Sequence, residues 1–297
     1  MKIYKTILIY DRSTFMSMII GIDIGGSTTK IIGFYRNKVI SPLLVKATDP
    51  ISSLYGAFGK FLNQNGLSLN DVSHVMVTGV GSSYVRERIF GIPTGRTDEF
   101  NSVGLGGLFL SNLSNAVIVS MGTGTAFVKA EMSKVSHLGG TGVGGGTLLG
   151  LSNRMLNIRH FDDLVEMAKG GNLANVDLFI KDMSNNIIAE LPPDTTASNF
   201  GKISDLVTSP DIALGIINLV FQTIGVLSIF AARIDGTADI VLTGNLTNVP
   251  QSIEIFNGLT RLHSVRFHVP EHAEFATAVG AALLYETNAS FIDGENS

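Results

Sequence analysis

Residues 18–30 read Met-Ile-Ile-Gly-Ile-Asp-Ile-Gly-Gly-Ser-Thr-Thr-Lys, an apolar strand that reaches a carboxylate and then runs into paired glycines and hydroxyls. A tight turn between strands needs positive φ at one or more positions, which glycine takes without strain. Because Gly25 and Gly26 lack side chains, the turn's backbone N–H groups can face an anion, and Ser27, Thr28 and Thr29 add hydroxyl donors. Asp23 repels phosphate directly. Its place beside the turn makes sense through an intervening Mg²⁺ or its waters. Lys30 offsets charge on the phosphates. An ordinary hairpin turn has the same composition, so this stretch alone leaves both readings open.

Three further glycine segments tilt the balance. Gly122-Thr123-Gly124-Thr125 follows the apolar run 115–120 and repeats the chemistry of the first turn about a hundred residues later. Sequence identity between the halves is negligible, so the likeness is one of design and not a detectable repeat. Residues 139–146 hold six glycines in eight, among them Gly144, Gly145 and Gly146. They read as a loop opening a helix at Leu148, where bare backbone amides would make an anion site. Packing is a poor explanation for so many glycines. Thr243-Gly244-Asn245 follows the strand 239–242 and is placed to close over a nucleotide base or ribose. The chain has no G-x-x-x-x-G-K-[ST], which excludes a P-loop NTPase. The spacing of Gly21, Asp23, Gly25 and Gly26 is wrong for a dinucleotide-binding Rossmann turn.

Composition narrows the field further. The 297 residues include 33 Gly, about one in nine against a usual ~7%. Hydrophobic residues make up 45%, so bulk disorder is excluded. A formal charge of -4 offers no basic excess to neutralise a nucleic-acid backbone. Cysteine is absent, which removes disulfides, thiolate metal sites and cysteine nucleophiles and fits a reducing cytoplasm.

The length predicts two lobes, set as α/β lobes at 18–115 and 116–297. Residues 1–17 read as a disordered extension, since their apolar stretch is too short for a signal peptide. Strands are expected at 18–23, 29–35, 38–41, 74–78, 115–120, 125–131, 239–243 and 265–269. Helices are expected at 52–65, 101–112, 252–262 and 274–286. Residues 161–200 read as a polar excursion at the lobe boundary. The apolar run 212–234 is broken by Asn218, Gln222, Thr223 and Ser228, which favours a buried helix or a dimer interface over a membrane span.

In order along the chain, residues 23–30, 122–125 and 243–245 resemble the two phosphate loops and the adenosine motif of the actin/hexokinase/heat-shock-ATPase superfamily. Within it, Asp98-Glu99-Phe100, the block GGTGVGGGTLLGLS at 139–152 and DTTASNFG at 194–201 resemble the type II pantothenate kinase family. That resemblance implies a two-lobed actin-like ATPase fold of ribonuclease-H-like sheets. It also implies an Mg²⁺-dependent, cytoplasmic homodimer that phosphorylates the hydroxyl of pantothenate with ATP, the first step toward coenzyme A. Glu99 matches the family's general base; on chemistry alone, Asp98 competes equally. Adjacent side chains in an extended segment point opposite ways, so only one of the pair would face the substrate. Gly140 and Thr141 would lie with the acceptor.

One departure is plain. Where the family carries an arginine before the double glycine, this chain has Ser136-His137-Leu138. A guanidinium pairs bidentately with a carboxylate, whereas an imidazole offers one bond. His137 or the nearby Arg96 would have to take that role. The other readings are a kinase of the same fold for a sugar or pantetheine-like hydroxyl, and a non-catalytic nucleotide sensor.

Overall fold

The computed structural model describes residues 18–46, 49–85, 88–183, 191–202 and 205–294, with side chains as far as 286. The extension expected over 1–17 lies outside them. The chain packs as two units, Met1–Ser102 with Thr277–Ser297, and Val103–Ala276. The sequence-based boundary fell instead at 115/116 and left the last helix with the second half.

The first unit opens with β1 (Met18–Ile24), β2 (Thr28–Tyr35) and β3 (Lys38–Lys46). Arg36 and Asn37, at φ 47° and 58°, turn the chain between β2 and β3, the left-handed pair that a two-residue hairpin loop requires. Helix α1 (Pro50–Asn65) starts where the Asp49 carboxylate accepts the Ser52 N–H at 2.7 Å. It stops at Gly66, whose φ of 64° closes the last turn. Then follow β4 (Val72–Thr78), β5 (Arg88–Ile89), β6 (Ile92–Arg96) and the first turn of α2 (Glu99–Ser111), whose residues from Val103 on belong to the second unit. The sheet order is β3-β2-β1-β4-β6-β5, with β1 parallel to β4 and β4 parallel to β6. Period-two alternation puts Ile20, Ile22 and Ile24 against Leu54, Phe58 and Phe61 of α1. Gly21 and Asp23 therefore belong to the opposite face.

The second unit contains β7 (Asn115–Met121), β8 (Thr125–Glu131), β9 (Lys134–Thr141), α3 (Gly145–Leu156), α4 (Phe161–Ala168), β10 (Leu178–Phe179), α5 (Ile180–Met183) and β11 (Thr196–Ser198). It closes with α6 (Ser209–Asp235), β12 (Asp239–Thr243), α7 (Gln251–His263) and β13 (Arg266–His268). Its main sheet runs β13-β12-β7-β8-β9. Each unit thus has an antiparallel meander whose first strand pairs in parallel with a later one. The half-fold read twice in the sequence is a shared topology.

Helix α6 is the axis of the second core, burying Ile216, Ile217, Val220, Phe221 and Ile224 under α3, α4 and α7. It is long and apolar enough to cross a membrane, yet most of its apolar stretch is buried here. Two of its buried polar residues, Asp211 and Asn218, are hydrogen-bonded within the fold. Asp211 accepts the N–H groups of Thr208 and Asn172, and Asn218 Nδ2 donates to Asp177 at 2.7 Å. The described residues of the excursion expected at a lobe boundary lie inside this unit, where α4 buries Leu164 and Ala168. The final helix, α8 (Ala276–Gly294), packs on β1: a Cβ at Gly21 would stand 2.1 Å from the Ala278 carbonyl oxygen. That close approach is why the chain's last helix belongs with its first strand.

Candidate active site

In the first unit, β1 and β2 are in register so that Asp23 stands opposite Lys30. Their charged groups are 3.5 Å apart and both side chains are buried. Burial raises the Asp23 pKa, while the charge and hydrogen bond of Lys30 pull it back. The turn between them is closed by a hydrogen bond from Gly25 N to the Thr28 carbonyl at 2.9 Å. Gly26 and Ser27 are exposed at its tip, and their N–H groups enter none of the turn's hydrogen bonds. These two donors, with Thr28 beside them, suit an anion.

Asp98 and Glu99 are not in an extended segment, as the sequence reading had them. They form the start of α2, and the structure separates their tasks. The Asp98 carboxylate accepts the Asn101 N–H at 2.9 Å, and its carbonyl accepts from Ser102 N and Oγ. A carboxylate so engaged caps a helix. Glu99, the first helical residue, is exposed and has no such duty. Partial desolvation and then the Asp23 charge raise its pKa, Lys30 lowers it, and Asp98 adds a smaller push upward. A carboxyl raised in this way and grouped with an aspartate and a lysine has the character of a general base. Arg96 is committed elsewhere, its Nη2 donating to the carbonyls of Val85 and Ser83.

The second unit gathers the remaining glycine motifs. Gly122 N donates to Gly124 O across the β7–β8 hairpin, while the N–H groups of Thr123 and Gly124 make no hydrogen bond among the described residues. Gly145 N donates to Gly122 O and Gly146 N to Thr123 O, both at 2.9 Å. The helix start expected to offer bare amides has therefore spent two of them on the hairpin. A Cβ on Gly144 would stand 2.7 Å from Thr123 O and 2.8 Å from Gly124 Cα. Contrary to the sequence reading, packing explains these glycines: they let α3 press against the backbone of the β7–β8 hairpin. Thr125 Oγ1 adds a bond to Val143 O at 2.8 Å. Gly244 closes the group, since a Cβ there would stand 2.4 Å from Met121 O, with Asn245 following in a 3₁₀ turn.

Residues 139–141 differ from expectation too. Gly139, Gly140 and Thr141 belong to β9, not to a loop. His137 pairs with Val128 and Gly139 with Phe127, which leaves Leu138 as a bulge. His137 is exposed on this strand. The 194–201 segment is a fastening. Fully buried Asp177 accepts from Phe200 N, Thr196 Oγ1, Asn199 Nδ2 and Asn218 Nδ2, and Asp194 pairs with Lys181.

Sequence reasoning gave no role to residues 78–81 beyond a turn. Gly79 has φ 83° and ψ 169°, and a Cβ on it would stand 2.5 Å from Asp23 Oδ1; one on Gly81 would stand 2.4 Å from Ile24 Cγ2. The signal was present as Thr-Gly-Val-Gly after an apolar strand, the form also seen at 243–245. Among the described residues no group of three His, Cys, Asp or Glu side chains is arranged to hold a metal. One buried carboxylate beside a phosphate turn still fits Mg²⁺, which keeps several waters and takes its remaining ligands from phosphate.

Comparison with known proteins gives the chain's family and its fold. Residues 112–284 match the Fumble family. The type II pantothenate kinase of Bacillus anthracis is 29% identical over 283 residues, covering 92% of this chain and 99% of that protein. The type II pantothenate kinase of Bacillus cereus strain ATCC 14579 is 27% identical over 285 residues, covering 90% and 98%. Among solved structures, the activator of 2-hydroxyisocaproyl-CoA dehydratase from Clostridium difficile, with bound ADPNP, superposes with a TM-score of 0.68 at 16% identity, covering 94% of this chain and 97% of that one. A ROK family glucokinase from Streptomyces griseus, in complex with glucose and AMPPNP, gives 0.58 at 12% identity, covering 90% and 98%. These likenesses show the fold, the α/β arrangement of actin-like ATPases.

Proposed function

The chain belongs to the Fumble family, and from that premise we propose that it transfers the γ-phosphoryl group of ATP to the hydroxyl of pantothenate, the first step of coenzyme A biosynthesis. The observation that carries the chemistry is the buried Asp23–Lys30 pair beside the glycine turn, in the same unit as Glu99, a carboxyl at the start of α2 that Asp98 relieves of capping. The pantothenate hydroxyl gives its proton to Glu99 as its oxygen attacks the γ-phosphorus. The bond to the bridging oxygen breaks, ADP leaves with the electron pair, and Glu99 later returns the proton to solvent. In the first unit, Lys30 and the amides of Gly26 and Ser27 suit phosphate charge. In the second unit, the amides of Thr123 and Gly124 suit an anion, and Gly244 and Asn245 match the adenosine motif. Asp23 would hold Mg²⁺ through its waters, and the bound ion would supply neutralisation of phosphate charge.

The relatives named type II pantothenate kinase, alike over about nine-tenths of the chain, support pantothenate as acceptor. The engagement of Arg96 with backbone carbonyls favours one second reading, an acceptor other than pantothenate, because it removes one of the two candidate partners for the substrate carboxylate and leaves His137. Transfer from labelled ATP to pantothenate, pantetheine and a panel of sugars separates the two. Label on pantothenate supports the first reading; label only on another acceptor overturns it. We read the enzyme as a cytoplasmic homodimer, supported by Phe230 and Ile234 of α6, which are 52% and 85% exposed. Sedimentation as a monomer at micromolar concentration would remove that part.

A further inference from the structure

The two units share strand order, and their matched positions differ in one instructive place. In the second unit, Ser120 at the end of β7 stands in register with Thr243 at the end of β12, and the Thr243 hydroxyl donates to Val119 O at 3.2 Å. In the first unit the matching positions are Asp23 on β1 and Thr78 on β4, again in register on parallel strands. Each threonine is fully buried, and each is followed by a glycine at φ 83° or 89° that opens a 3₁₀ turn. The Thr78 hydroxyl, unlike its counterpart, has no hydrogen-bond partner.

A buried hydroxyl without a partner is a standing cost to the fold, and it is retained where something outside the protein satisfies it. Its surroundings say what. Residues in register on neighbouring strands face the same side of a sheet, so Thr78, Asp23 and Lys30 form one row across β4, β1 and β2. Gly79 closes that row from behind, its missing Cβ making room for Asp23 Oδ1. The row holds a carboxylate, an ammonium and one unclaimed hydroxyl, beside a turn with two unclaimed amides.

We infer that the Thr78 hydroxyl is a binding group for the hydrated magnesium of a nucleoside polyphosphate, accepting a hydrogen bond from a metal-bound water that Asp23 also holds. This rests on the proposed kinase reading and adds a residue to its site. A hydroxyl suits the place because it accepts from water without adding a second negative charge next to Asp23.

Two near-isosteric variants test it. Thr78→Val removes the hydroxyl and Thr78→Ser keeps it. By calorimetry with MgADP, Thr78→Val binds about tenfold more weakly than wild type, and Thr78→Ser stays within about twofold. With ADP in EDTA, the three proteins bind alike. The melting temperature of ligand-free Thr78→Val is no lower than that of wild type, since an unsatisfied group has gone. Wild-type affinity for MgADP in Thr78→Val overturns the inference while leaving the kinase reading intact. So does a tenfold difference that survives EDTA. A drop in ligand-free melting temperature that Thr78→Ser restores would make the hydroxyl structural and overturn it as well. Failure of the wild type itself to bind MgADP sinks the kinase reading and the inference together.

Discussion

Lys30 Nζ stands 3.5 Å from Asp23 Oδ2, the two residues set opposite each other by the register of β1 and β2. The pairing does not abolish the cost of burying the carboxylate, because the Asp23 pKa remains raised by desolvation despite Lys30. The pair is held for its charge pattern, and its removal has consequences that can be measured.

Lys30→Met leaves a buried carboxylate alone, and breaking such a pair costs about 3 kcal/mol. The sign with pH follows from proton uptake. A carboxyl whose folded pKa is raised holds its proton more tightly when folded, so stability falls as pH rises from the unfolded value toward the folded one. The deficit of Lys30→Met is therefore largest at neutral pH and shrinks on acidification as Asp23 takes a proton. The double variant Asp23→Asn, Lys30→Met recovers the melting temperature without recovering phosphoryl transfer. Thermal melts from pH 4 to 8 check both.

Glu99→Gln should lower kcat by about 10²–10⁴-fold with MgADP affinity unchanged, the signature of a lost general base. Asp98→Asn keeps an acceptor for the Asn101 N–H and leaves kcat within a few-fold. In the wild type, kcat/KM falls on acidification through the pKa of Glu99, which lies above the ordinary carboxylate range. Turnover by Glu99→Gln at the wild-type rate ends the assignment.

Gly144→Ala tests packing against the phosphate hairpin. Its φ of 178° is open to any residue, so only space is at stake. The added methyl meets backbone at 2.7 Å, and overpacking of this kind costs about 1–3 kcal/mol. Denaturant unfolding should show that loss together with weaker nucleotide binding. Gly142→Ala, where a Cβ meets nothing within 4 Å, is the control.

Asp177→Ala leaves the Phe200 N–H and the side chains of Thr196, Asn199 and Asn218 without their acceptor. Unfolding in denaturant should report a loss of roughly 1–3 kcal/mol. The segment 194–201 should lose amide-exchange protection before the β7–β8 hairpin does.

Asp239 is held at a pKa of about 2 by hydrogen bonds from Arg266, then His268. A depressed folded pKa gives stability that is present above the unfolded value and lost as pH falls toward the folded one. Asp239→Asn should thus melt lower than wild type at pH 6, and the gap should close between pH 4 and 2.

Much of this was legible in the residues because it is local. The strand at 18–24, the turn at Arg36-Asn37 and the cap at Gly66 follow from hydrophobic alternation and from the few residues that tolerate left-handed backbone. The glycine turns at 25–26 and 122–124 were visible for the same reason. What escaped notice depended on partners far along the chain. The end of β9, residues 139–141, reads as a loop in the sequence because its glycines mask alternation, and the sheet accepts them only through pairing with β8. The amides of Gly145 and Gly146 looked available until the carbonyls of Gly122 and Thr123 claimed them. Thr78 looked like any threonine at a strand end until register placed it beside Asp23.

By itself the sequence determined that this chain makes two sets of side-chain-poor turns after apolar strands, since periodicity and glycine placement act over a few residues. Only the tertiary structure decided which carboxylate is free to act and which is spent on a helix, which amides face a ligand, and which buried hydroxyl lacks a partner. Those are questions of hydrogen-bond accounting, and a donor's acceptor is chosen by the whole fold.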